Sequence, residues 1–494
     1  MLSILVCHSY FLQFDPKQAE RGKPYPPLAT LQVAALLREA GHRVGLFDAM
    51  LATGLADYYD TLRASRPQVV VLYEDHFNFL SKMCLGRMRE AACRMISAAV
   101  ATGARVIVAG PDANDAPAPY LHAGADLALV GEGLAALTGA LARLNDASYL
   151  PTRELLADLP GAVALVDGRL VRSSSSARPP ADVRPAAMAA WALVDIGRYR
   201  AIWLQKHGYF SLNMAASRGC SFRCAWCAKP IWGNQYLQRP AAAVAAEMGY
   251  LKRTFAPDHL WLADDIFGLR VSWVSEFAAA VAASDAGVPF TIQTRADLIS
   301  IRMAEALRAA GCREAWLGAE SGSQRVLDAM HKGTTVEEIR LARRRLQQVG
   351  IRVGFFIQLG YLNEQLVDIL ATRMLLESVR PDDVGVSVSY PLPGTPFYEL
   401  VKSQLAAKTH WQHSGDLEMM FAGTYTSEFY RAIRDLMHAE VSLQQLEGAS
   451  PSPRHRRARR ALERRWTHLL SREQDFLSPR TSASAAASVV AATG

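Results

Sequence analysis

Hydrophobic residues in the first 145 positions alternate between short continuous runs and longer stretches with helical spacing. The continuous runs are rich in β-branched residues and predict buried strands at 2–7, 43–47, 69–73, 105–109 and 126–130. Helical spacing follows at 28–41, at 79–103 and after Gly133. Strands that alternate with helices form a parallel sheet covered on both faces. We therefore predict an α/β domain of the doubly wound, Rossmann-like type over residues 1–145, with a ligand site at the carboxyl ends of its strands.

Residues 146–205 lose this alternation, and the Ser-, Pro- and Arg-rich stretch 173–185 predicts a linker or strap. A second alternation occupies residues 206–400. Its six candidate strands lie at 209–215, 259–263, 290–294, 314–318, 353–359 and 384–389. Six successive βα units predict a (βα)6 partial barrel with functional residues in the loops that leave the strands. We expect a helical segment over 401–450 and then a basic, Ala/Ser-rich and partly disordered tail over 451–494.

Composition and charge narrow the class of protein. Half of the 494 residues are hydrophobic and a fifth are charged, which is typical of two or three globular domains. No run approaches the roughly 18 apolar residues of a membrane-spanning helix, and residues 1–11 lack the basic start of a secretory signal. We expect a cytoplasmic protein without a membrane span.

The net charge of +7 is concentrated at the end of the chain. Residues 451–494 contain nine arginines against three acidic residues, so the remainder is nearly neutral. An isolated arginine-rich tail is more often a solvated appendage than a recognition surface. We therefore do not expect a nucleic-acid partner.

The strongest chemical signal is a cluster of cysteines, Cys220, Cys224 and Cys227, directly after the first strand of the second series. Seven cysteines in a chain of this length do not indicate a disulfide scaffold, so clustered cysteines are interpreted as metal ligands. Three thiolates within eight residues can bind one inorganic cluster and leave one coordination position open. A zinc ion with a distant fourth ligand, or three buried small residues, are the alternatives.

This C-x3-C-x2-C spacing, in the loop after the first strand of a βα barrel, resembles the signature of radical S-adenosylmethionine enzymes, and the matches continue to about residue 400. The resemblance implies that the three cysteines bind a 4Fe-4S cluster and that S-adenosylmethionine chelates the fourth iron. Reduction of the cluster would cleave S-adenosylmethionine to a 5'-deoxyadenosyl radical. Trp226 resembles the family's aromatic residue near the adenine; the alternative is an ordinary core tryptophan.

Further matches follow the later strands. Asp264 and Asp265 resemble the acidic segment that contacts the methionine amino group or the substrate, although either could instead cap a helix. Arg295 could grip the cofactor carboxylate with its guanidinium. Glu320 and Ser321 resemble the family's ribose-binding site.

Other polar residues near the predicted strand ends are candidate substrate contacts. His207, Lys229 and Tyr361 form this group, together with Glu364, and structural roles are an equal alternative for each. Asn363 stands where relatives carry a glycine in a turn that ends Gly-Glu, so we assign no backbone contact to that turn.

The doubly wound domain in front of the barrel resembles the cobalamin-binding domain of the cobalamin-dependent class in this superfamily. The local matches are the segments 24–49, 110–114 and 130–134. The resemblance implies polar contacts to the corrin amides, and close approach of the backbone, from Asp48, Asp112, Glu132, Gly110, Gly131 and Gly133. No G-x-G-x-x-G follows the first strand, which disfavours a dinucleotide.

The loop D-x-H-x-x-G, by which classical cobalamin enzymes supply a histidine to cobalt, is absent from the sequence. The loop after the third strand would place Glu74, Asp75 and His76 at the lower corrin face. His76 could ligate cobalt or hold a water; alternatively it is a strand-end histidine bonded to Glu74 or Asp75. Our hypothesis is base-off cobalamin without a conventional histidine ligand.

The resemblance implies an enzyme that uses a 4Fe-4S cluster, S-adenosylmethionine and cobalamin to methylate an unactivated carbon of a biosynthetic intermediate. An oxidative cyclase or rearranging enzyme without methyl transfer is the alternative, and a tRNA-modifying radical enzyme is a third class. We expect a small-molecule substrate and a reducing partner such as flavodoxin or ferredoxin. No Ser-His-Asp arrangement stands out, and no catalytic residue is assigned.

Overall fold

The computed structural model describes residues 1–78, 86–144, 156–173, 188–228, 231, 233–405, 417–447 and 452–478. The chain divides into two compact units. The first comprises Met1–Cys220, Lys229–Asp265 and Ser284–Val288. The second comprises Ser221–Ala228, Ile266–Ala283 and Pro289–Gly494.

The first unit begins with a parallel sheet. Its strands are β1 (Ser3–Cys7), β2 (Arg43–Phe47), β3 (Val69–Tyr73), β4 (Arg105–Ala109) and β5 (Leu127–Leu129), in the spatial order β2-β1-β3-β4-β5. All five strands expected from the hydrophobic runs are confirmed. Because β1 lies between β2 and β3, the strand order reverses at β1/β3, which is where an open α/β sheet binds its ligand.

Helices cover both faces of this sheet. They are α1 (Pro16–Arg21), α2 (Leu28–Glu39), α3 (Leu55–Ser65), α4 (Gly86–Ala101), α5 (Pro111–Asp115), α6 (Ala118–His122) and α7 (Leu134–Arg143). On one face of the sheet, α2 and α7 pack against every second residue of the strands. On the other face, α3 and α4 pack against the intervening residues. Apolar side chains point to both faces of each strand, which explains the continuous hydrophobic runs.

Residues 146–205 were interpreted as a linker or strap. This interpretation is wrong for much of the part of 146–205 that the structure describes. The hairpin β6 (Ala162–Val166) and β7 (Arg169–Arg172) extends the sheet with antiparallel strands, since β6 pairs with β5. Asp167 and Gly168, with φ of 50° and 72°, form its two-residue turn. Asp-Gly between hydrophobic residues is a typical hairpin signal, and it outweighs the polar composition around it.

The first unit continues into the second series of strands. Its further elements are α8 (Ile196–His207), β8 (Ser211–Met214), β9 (Ser217–Gly219), β10 (Tyr236–Gln238), α9 (Ala241–Phe255) and β11 (His259–Leu262). β8 pairs in parallel with β11, whereas β9 and β10 form a short antiparallel ribbon.

The second unit contains the later strands of the series. Its elements are α10 (Val271–Ala283), β12 (Phe290–Thr294), α11 (Ile301–Ala310), β13 (Cys312–Glu320), α12 (Gln324–Ala329), α13 (Val336–Gln348), β14 (Arg352–Leu359), α14 (Leu366–Val379), β15 (Asp383–Val388), α15 (Pro396–Val401), α16 (Ser427–Glu447) and α17 (Pro453–Ser471). β12 to β15 pair in parallel in chain order. The predicted fold class, a doubly wound α/β domain followed by the (βα)6 series of a partial barrel and a helical C-terminal segment, is confirmed.

The arginine-rich segment is not a solvated appendage over its described residues. Residues 453–471 form α17, and Trp466 on its inner face is 1% exposed. The guanidinium of Arg373 lies 4.5 Å from the centroid of the Trp466 ring and pairs with Glu463 at 2.6 Å. The helix is amphipathic, so most of its arginines face solvent while Trp466 and Leu469 pack against the protein. The Ala/Ser-rich end from residue 479 lies outside the described residues.

Among the described residues, no helix combines the length and the hydropathy needed to cross a bilayer.

Candidate functional site

The three cysteines follow the short strand β9. Cys220 comes directly after Gly219, and Cys220, Cys224 and Cys227 are all partly exposed. In the described part of the chain, His, Cys, Asp and Glu side chains nowhere form a group of three that could hold a single metal ion. An iron-sulfur cluster is larger than one ion, so its thiolates lie farther apart. Three cysteines that leave one coordination position open fit such a cluster chemically.

Asp264 holds the backbone that leads into this loop. Its carboxylate accepts a hydrogen bond from the backbone N–H of Ala216 at 3.1 Å and another from the hydroxyl of Ser217. Burial raises the pKa of Asp264 to about 7. The alternative that Asp264 or Asp265 caps a helix does not apply, because α10 begins only at Val271.

A second set of contacts to the backbone before this loop was not predicted from the sequence. Arg239 donates to the carbonyl of Ala215 at 2.7 Å and to Glu247 at 2.6 Å. The indole N–H of Trp191 donates to the other oxygen of Glu247 at 3.3 Å. Glu247 is 2% exposed. The sequence did contain one signal for these contacts, because Glu247 is the single glutamate in the Ala-rich helix α9. A carboxylate that is buried requires a hydrogen-bond or ion-pair partner.

Glu132 is ion-paired with Arg218, two residues before Cys220. Both side chains are buried, and the hydroxyl of Tyr73 donates to the carbonyl oxygen of Glu132 at 2.7 Å. Burial lowers the pKa of Arg218 to about 10, so the guanidinium stays charged at neutral pH. The carboxylate predicted to contact the corrin is thus engaged with a protein charge.

In the second unit, Arg295 contacts the cysteine loop. Its guanidinium lies 3.8 Å from the centroid of the Phe222 ring, and its Nη1 lies 3.6 Å from the Sγ of Cys224. The same guanidinium pairs with Asp297 at 2.9 Å and donates to the Thr334 hydroxyl at 2.9 Å. This arrangement holds a positive charge beside one cysteine of the loop.

Glu320 and Ser321 follow β13. Glu320 has a left-handed φ of 61° and forms a buried ion pair with Lys332 at 2.7 Å. A Cβ at Gly318 would lie 2.6 Å from the Glu320 carboxylate, so this pair requires a glycine there. Ser321 lies 3.2 Å from the hydroxyl of Thr372. No sequence pattern indicated Lys332, because its partner is twelve residues away.

Trp226 is half-buried, and its indole N–H is buried without a hydrogen-bond partner among the described residues. An indole N–H normally finds an acceptor when it is buried. The predicted contact with the adenine and the alternative of a core tryptophan both stay open.

Tyr361 is packed inside the second unit. It is 2% exposed, stacks on Phe397 with ring centroids 4.8 Å apart, and donates to the carbonyl of Ala329 at 3.3 Å. These contacts give it a structural role, and its contact with substrate stays a prediction.

The turn after β14 accommodates Asn363 at the position where relatives carry a glycine. Asn363 has φ of 58°, a left-handed conformation that asparagine tolerates better than most residues. Glu364 is fully buried and accepts from the backbone N–H of Gly360 at 2.6 Å through one oxygen, while its other oxygen has no partner among the described residues. Burial raises the pKa of Glu364 to about 8.

Polar side chains gather at the ends of β1 and β2 in the first unit. The Nε2 of His8 lies 3.0 Å from the carboxylate of Asp48, which also accepts from the Tyr199 hydroxyl at 2.6 Å. His8 is 1% exposed, whereas the side chain of Asp48 keeps 18%. His8 was not predicted, although it directly follows β1.

The loop after β3 carries three predicted residues. Glu74 is buried and accepts from the backbone N–H of Ser9 at 3.0 Å, and burial raises its pKa. Asp75 accepts from the backbone N–H of Ala29 in the first turn of α2 at 3.0 Å, and burial raises its pKa to about 6. The buried ring of His76 packs against Phe77, with ring centroids 5.0 Å apart.

Two of the three predicted glycines are required by protein packing. A Cβ at Gly110 would lie 2.6 Å from the Cβ of Glu74, and a Cβ at Gly133 would lie 2.7 Å from that of Leu129. Gly131 has φ of 74° and meets only ordinary contacts. Of the three, only Gly131 leaves room in front of its backbone.

Asp112 is part of a buried polar network. Its carboxylate binds the guanidinium of Arg89 through two hydrogen bonds of 2.6 and 2.5 Å and accepts from the hydroxyl of Tyr120 at 2.5 Å. These bonds occupy the carboxylate within the protein.

His207 ends α8. Its Nε2 lies 3.0 Å from the carbonyl of Gly22, and its ring packs against Trp203 with ring centroids 5.1 Å apart. This gives His207 a structural role in the first unit. Lys229 lies outside the described residues.

Comparison with known proteins agrees with this fold and loop. The family model of the Radical SAM superfamily matches residues 214–376. A structure of TsrM, a radical S-adenosylmethionine methyltransferase from Kitasatospora setae with cobalamin and a 4Fe-4S cluster bound, is similar over 82% of this chain and 75% of its own, with 18% identity and a TM-score of 0.66.

OxsB, a cobalamin-dependent S-adenosylmethionine radical enzyme with aqua-cobalamin and S-adenosylmethionine bound, is similar over 96% of this chain and 71% of its own, with 15% identity and a TM-score of 0.69. The anaerobic magnesium-protoporphyrin IX monomethyl ester cyclase of Rubrivivax gelatinosus is 24% identical over 276 residues, which are 56% of this chain and 48% of the cyclase. The chain spans about half the length of the curated relatives it matches.

The recognition made from the sequence is confirmed. Residues 214–376 are a radical S-adenosylmethionine domain. The chain as a whole has the fold of TsrM and OxsB, in which the three expected cofactors are found.

Proposed function

We propose that this protein is a cobalamin-dependent radical S-adenosylmethionine enzyme, in which Cys220, Cys224 and Cys227 bind a 4Fe-4S cluster. One observation carries the proposal: in a single chain, a doubly wound sheet precedes a match to the Radical SAM superfamily, and the three cysteines follow β9 within that match. The agreement in fold with OxsB over 96% of the chain supports it.

The surroundings of the loop suit a reduced cluster. Asp264 and Arg239 fix the backbone before the first cysteine, so the thiol need not be ordered when it binds iron. Arg295 places a positive charge 3.6 Å from the Sγ of Cys224. Trp226, Asp265, Glu320 and Ser321 stay proposed contacts of S-adenosylmethionine.

We assign cobalamin to the strand ends of the N-terminal sheet. The reversal of strand order at β1/β3 supports this assignment, and Asp48, His76 and Gly131 lie at or near the ends of β2, β3 and β5. Asp112, Glu132 and Gly110 serve protein contacts, so corrin binding does not depend on their side chains.

The proposed reaction is methylation of an unactivated carbon in a small biosynthetic intermediate. The cluster would supply the electron that cleaves S-adenosylmethionine, and cobalamin would carry the methyl group. The protein's part is to hold the reactants in line and to exclude water, which requires no general base or nucleophile. The methyltransferase assignment of TsrM supports this reaction.

The test uses anaerobically purified protein that is reconstituted with iron, sulfide and hydroxocobalamin, then reduced and given S-adenosylmethionine. Mass spectrometry measures S-adenosylhomocysteine and 5'-deoxyadenosine, with Cys224→Ala as the background. We expect both products in the wild type, with S-adenosylhomocysteine formed only when cobalamin is present. Absence of both products above the background would refute the proposed function.

A radical cyclase or rearranging enzyme is the second candidate, favoured by the similarity to the Rubrivivax gelatinosus cyclase. Such an enzyme transfers no methyl group. Formation of 5'-deoxyadenosine without S-adenosylhomocysteine would therefore select it over the methyltransferase. The search for substrate would then turn to molecules that lose hydrogen without gaining carbon.

A further inference from the structure

The ion pair between Arg218 and Glu132 joins two distant segments of the first unit. Glu132 lies in the Val-Gly-Glu-Gly turn after β5, and Arg218 is the central residue of β9. The two side chains are 7% and 10% exposed, so the pair is almost removed from water. The ion pair therefore connects the carboxyl end of the N-terminal sheet to the strand that leads into Cys220.

Both ends of this connection are held by other contacts. The hydroxyl of Tyr73, at the end of β3, donates to the carbonyl of Glu132 at 2.7 Å. Arg218 lies in the β9–β10 ribbon opposite Leu237. A side chain fixed at both ends transmits a displacement of one backbone to the other, which a surface ion pair does not do.

Burial of this pair is difficult to explain by stability alone. A buried ion pair gains little over an apolar pair of the same size, but loss of one partner leaves a charge without compensation. Such pairs are suited to fixing a particular arrangement. The arrangement fixed here is the position of the residue two before the first cysteine.

We propose that Glu132 is a positioning residue for Cys220, and that it acts through Arg218 and balances the charge of that arginine two residues before Cys220. This inference rests on the proposed function, because it concerns the cluster that Cys220 would help to bind. It assigns Glu132 to the cysteine loop rather than to the corrin.

The proposal predicts the sign of a change in reduction potential. Glu132→Gln removes one negative charge beside Arg218, and a net gain of positive charge near a cluster stabilises its reduced form. The midpoint potential of the cluster should therefore rise. In Arg218→Gln the potential should fall or stay near that of the wild type, and in the double variant it should return towards the wild-type value.

The measurement is a redox titration of the reconstituted protein, followed by the EPR signal of the reduced cluster. Asp126→Asn is the matched control, because it breaks the ion pair with Arg105 in the same sheet, away from the cysteine loop. A higher potential in Glu132→Gln that the second substitution reverses supports the proposal. The same potential in all variants, or the same shift in the control, would overturn it.

A second measurement does not depend on the cluster. In the reduced full-length protein without metal, alkylation of Cys220 is timed by mass spectrometry of tryptic peptides; cleavage after Arg218 and Arg223 separates Cys220 from Cys224 and Cys227. We expect Cys220 to react several-fold faster in Glu132→Gln than in the wild type or in Asp126→Asn, and Cys312 to react at an unchanged rate.

The two measurements separate the possible failures. A wild-type protein that assembles no cluster would contradict the proposed function, whereas the alkylation rates would still test the ion pair. An unchanged rate for Cys220 in Glu132→Gln would contradict the positioning role even if the cluster forms normally.

Discussion

At the residue scale, the structure contains buried carboxyl groups whose protonation should be measurable. Glu364 has one oxygen bonded to the N–H of Gly360 and one without a partner among the described residues. Burial raises its pKa to about 8, compared with an ordinary value of 4.5. The side chain is therefore mainly protonated in the folded protein at neutral pH.

We predict that Glu364→Gln changes the pH dependence of stability. Between about pH 4.5 and pH 8 the folded wild type binds the proton that the unfolded chain releases, so its stability falls as pH rises, by at most about 1.4 kcal/mol per pH unit. The variant lacks this loss. The free energy of unfolding of Glu364→Gln minus that of the wild type should therefore increase as the pH rises to about 8, and stay constant at higher pH.

Urea denaturation of both proteins from pH 5 to pH 9 tests this prediction. The exposed Glu399 supplies the control Glu399→Gln. A constant difference between Glu364→Gln and wild type over this range would mean that Glu364 is ionised in the folded protein.

A second prediction at this scale concerns His76. Its ring packs against Phe77 and against Tyr73, whose ring centroid lies 5.8 Å away. We expect cobalamin bound to His76→Ala to keep the wild-type absorption spectrum, because the hypothesis is base-off cobalamin without a histidine ligand. A shift of the spectrum in this variant, absent in Phe77→Leu, would identify His76 as the cobalt ligand.

At the element scale, α17 packs through Trp466 and Leu469. It also forms ion pairs with Arg373 and, through its own Arg459, with Glu447. Arg373 on α14 pairs with Glu440 on α16 at 2.7 Å and with Glu463 on α17 at 2.6 Å, and it covers the ring of Trp466. Three helices thus meet around one guanidinium. Removal of the tryptophan should release the helix with its exposed arginines.

We predict that Trp466→Ala destabilises the packing of α17 by about 3–5 kcal/mol, which is typical of a buried aromatic residue replaced by alanine. Brief trypsin digestion of the full chain should then cut within residues 453–471 much faster than in wild type. The exposed neighbour gives the control Thr467→Ala. Equal cleavage of the wild type and Trp466→Ala would show that α17 is not held by this residue.

Elements with strong hydrophobic periodicity could be predicted from the sequence alone. The eleven predicted strands of the two series all occur, because each is a short run rich in apolar residues with few competing signals. The β6–β7 hairpin was missed because polar composition was weighed above the Asp-Gly turn at Asp167. Helix α17 was interpreted as a solvated appendage because its charge concealed a single apolar face.

The candidate site was predictable to a different extent. Motif spacing identified the cysteines, because their chemistry requires residues that are near one another in the chain. Arg218, Lys332 and Glu247 could not be placed in this way, since their partners lie 86, 12 and 56 residues away. Such pairs follow from the tertiary fold, and a list of local motifs does not contain them.

At the scale of the whole molecule, each compact unit contains part of the second strand series and part of the cysteine motif. Cys220 belongs to the first unit, while Cys224 and Cys227 belong to the second. The predicted domain boundaries at 205 and 400 stay predictions, whereas the sheet of the first domain continues past the predicted boundary at 145 to Arg172.

The measurement that tests the central claim most directly is the EPR spectrum of the anaerobically reconstituted and reduced protein, before and after addition of S-adenosylmethionine. We predict a 4Fe-4S signal that changes when S-adenosylmethionine binds, that is lost in Cys224→Ala and that is retained in Cys312→Ala, where the cysteine is buried outside the motif. A signal that persists in Cys224→Ala, or one that does not respond to S-adenosylmethionine, would contradict the account.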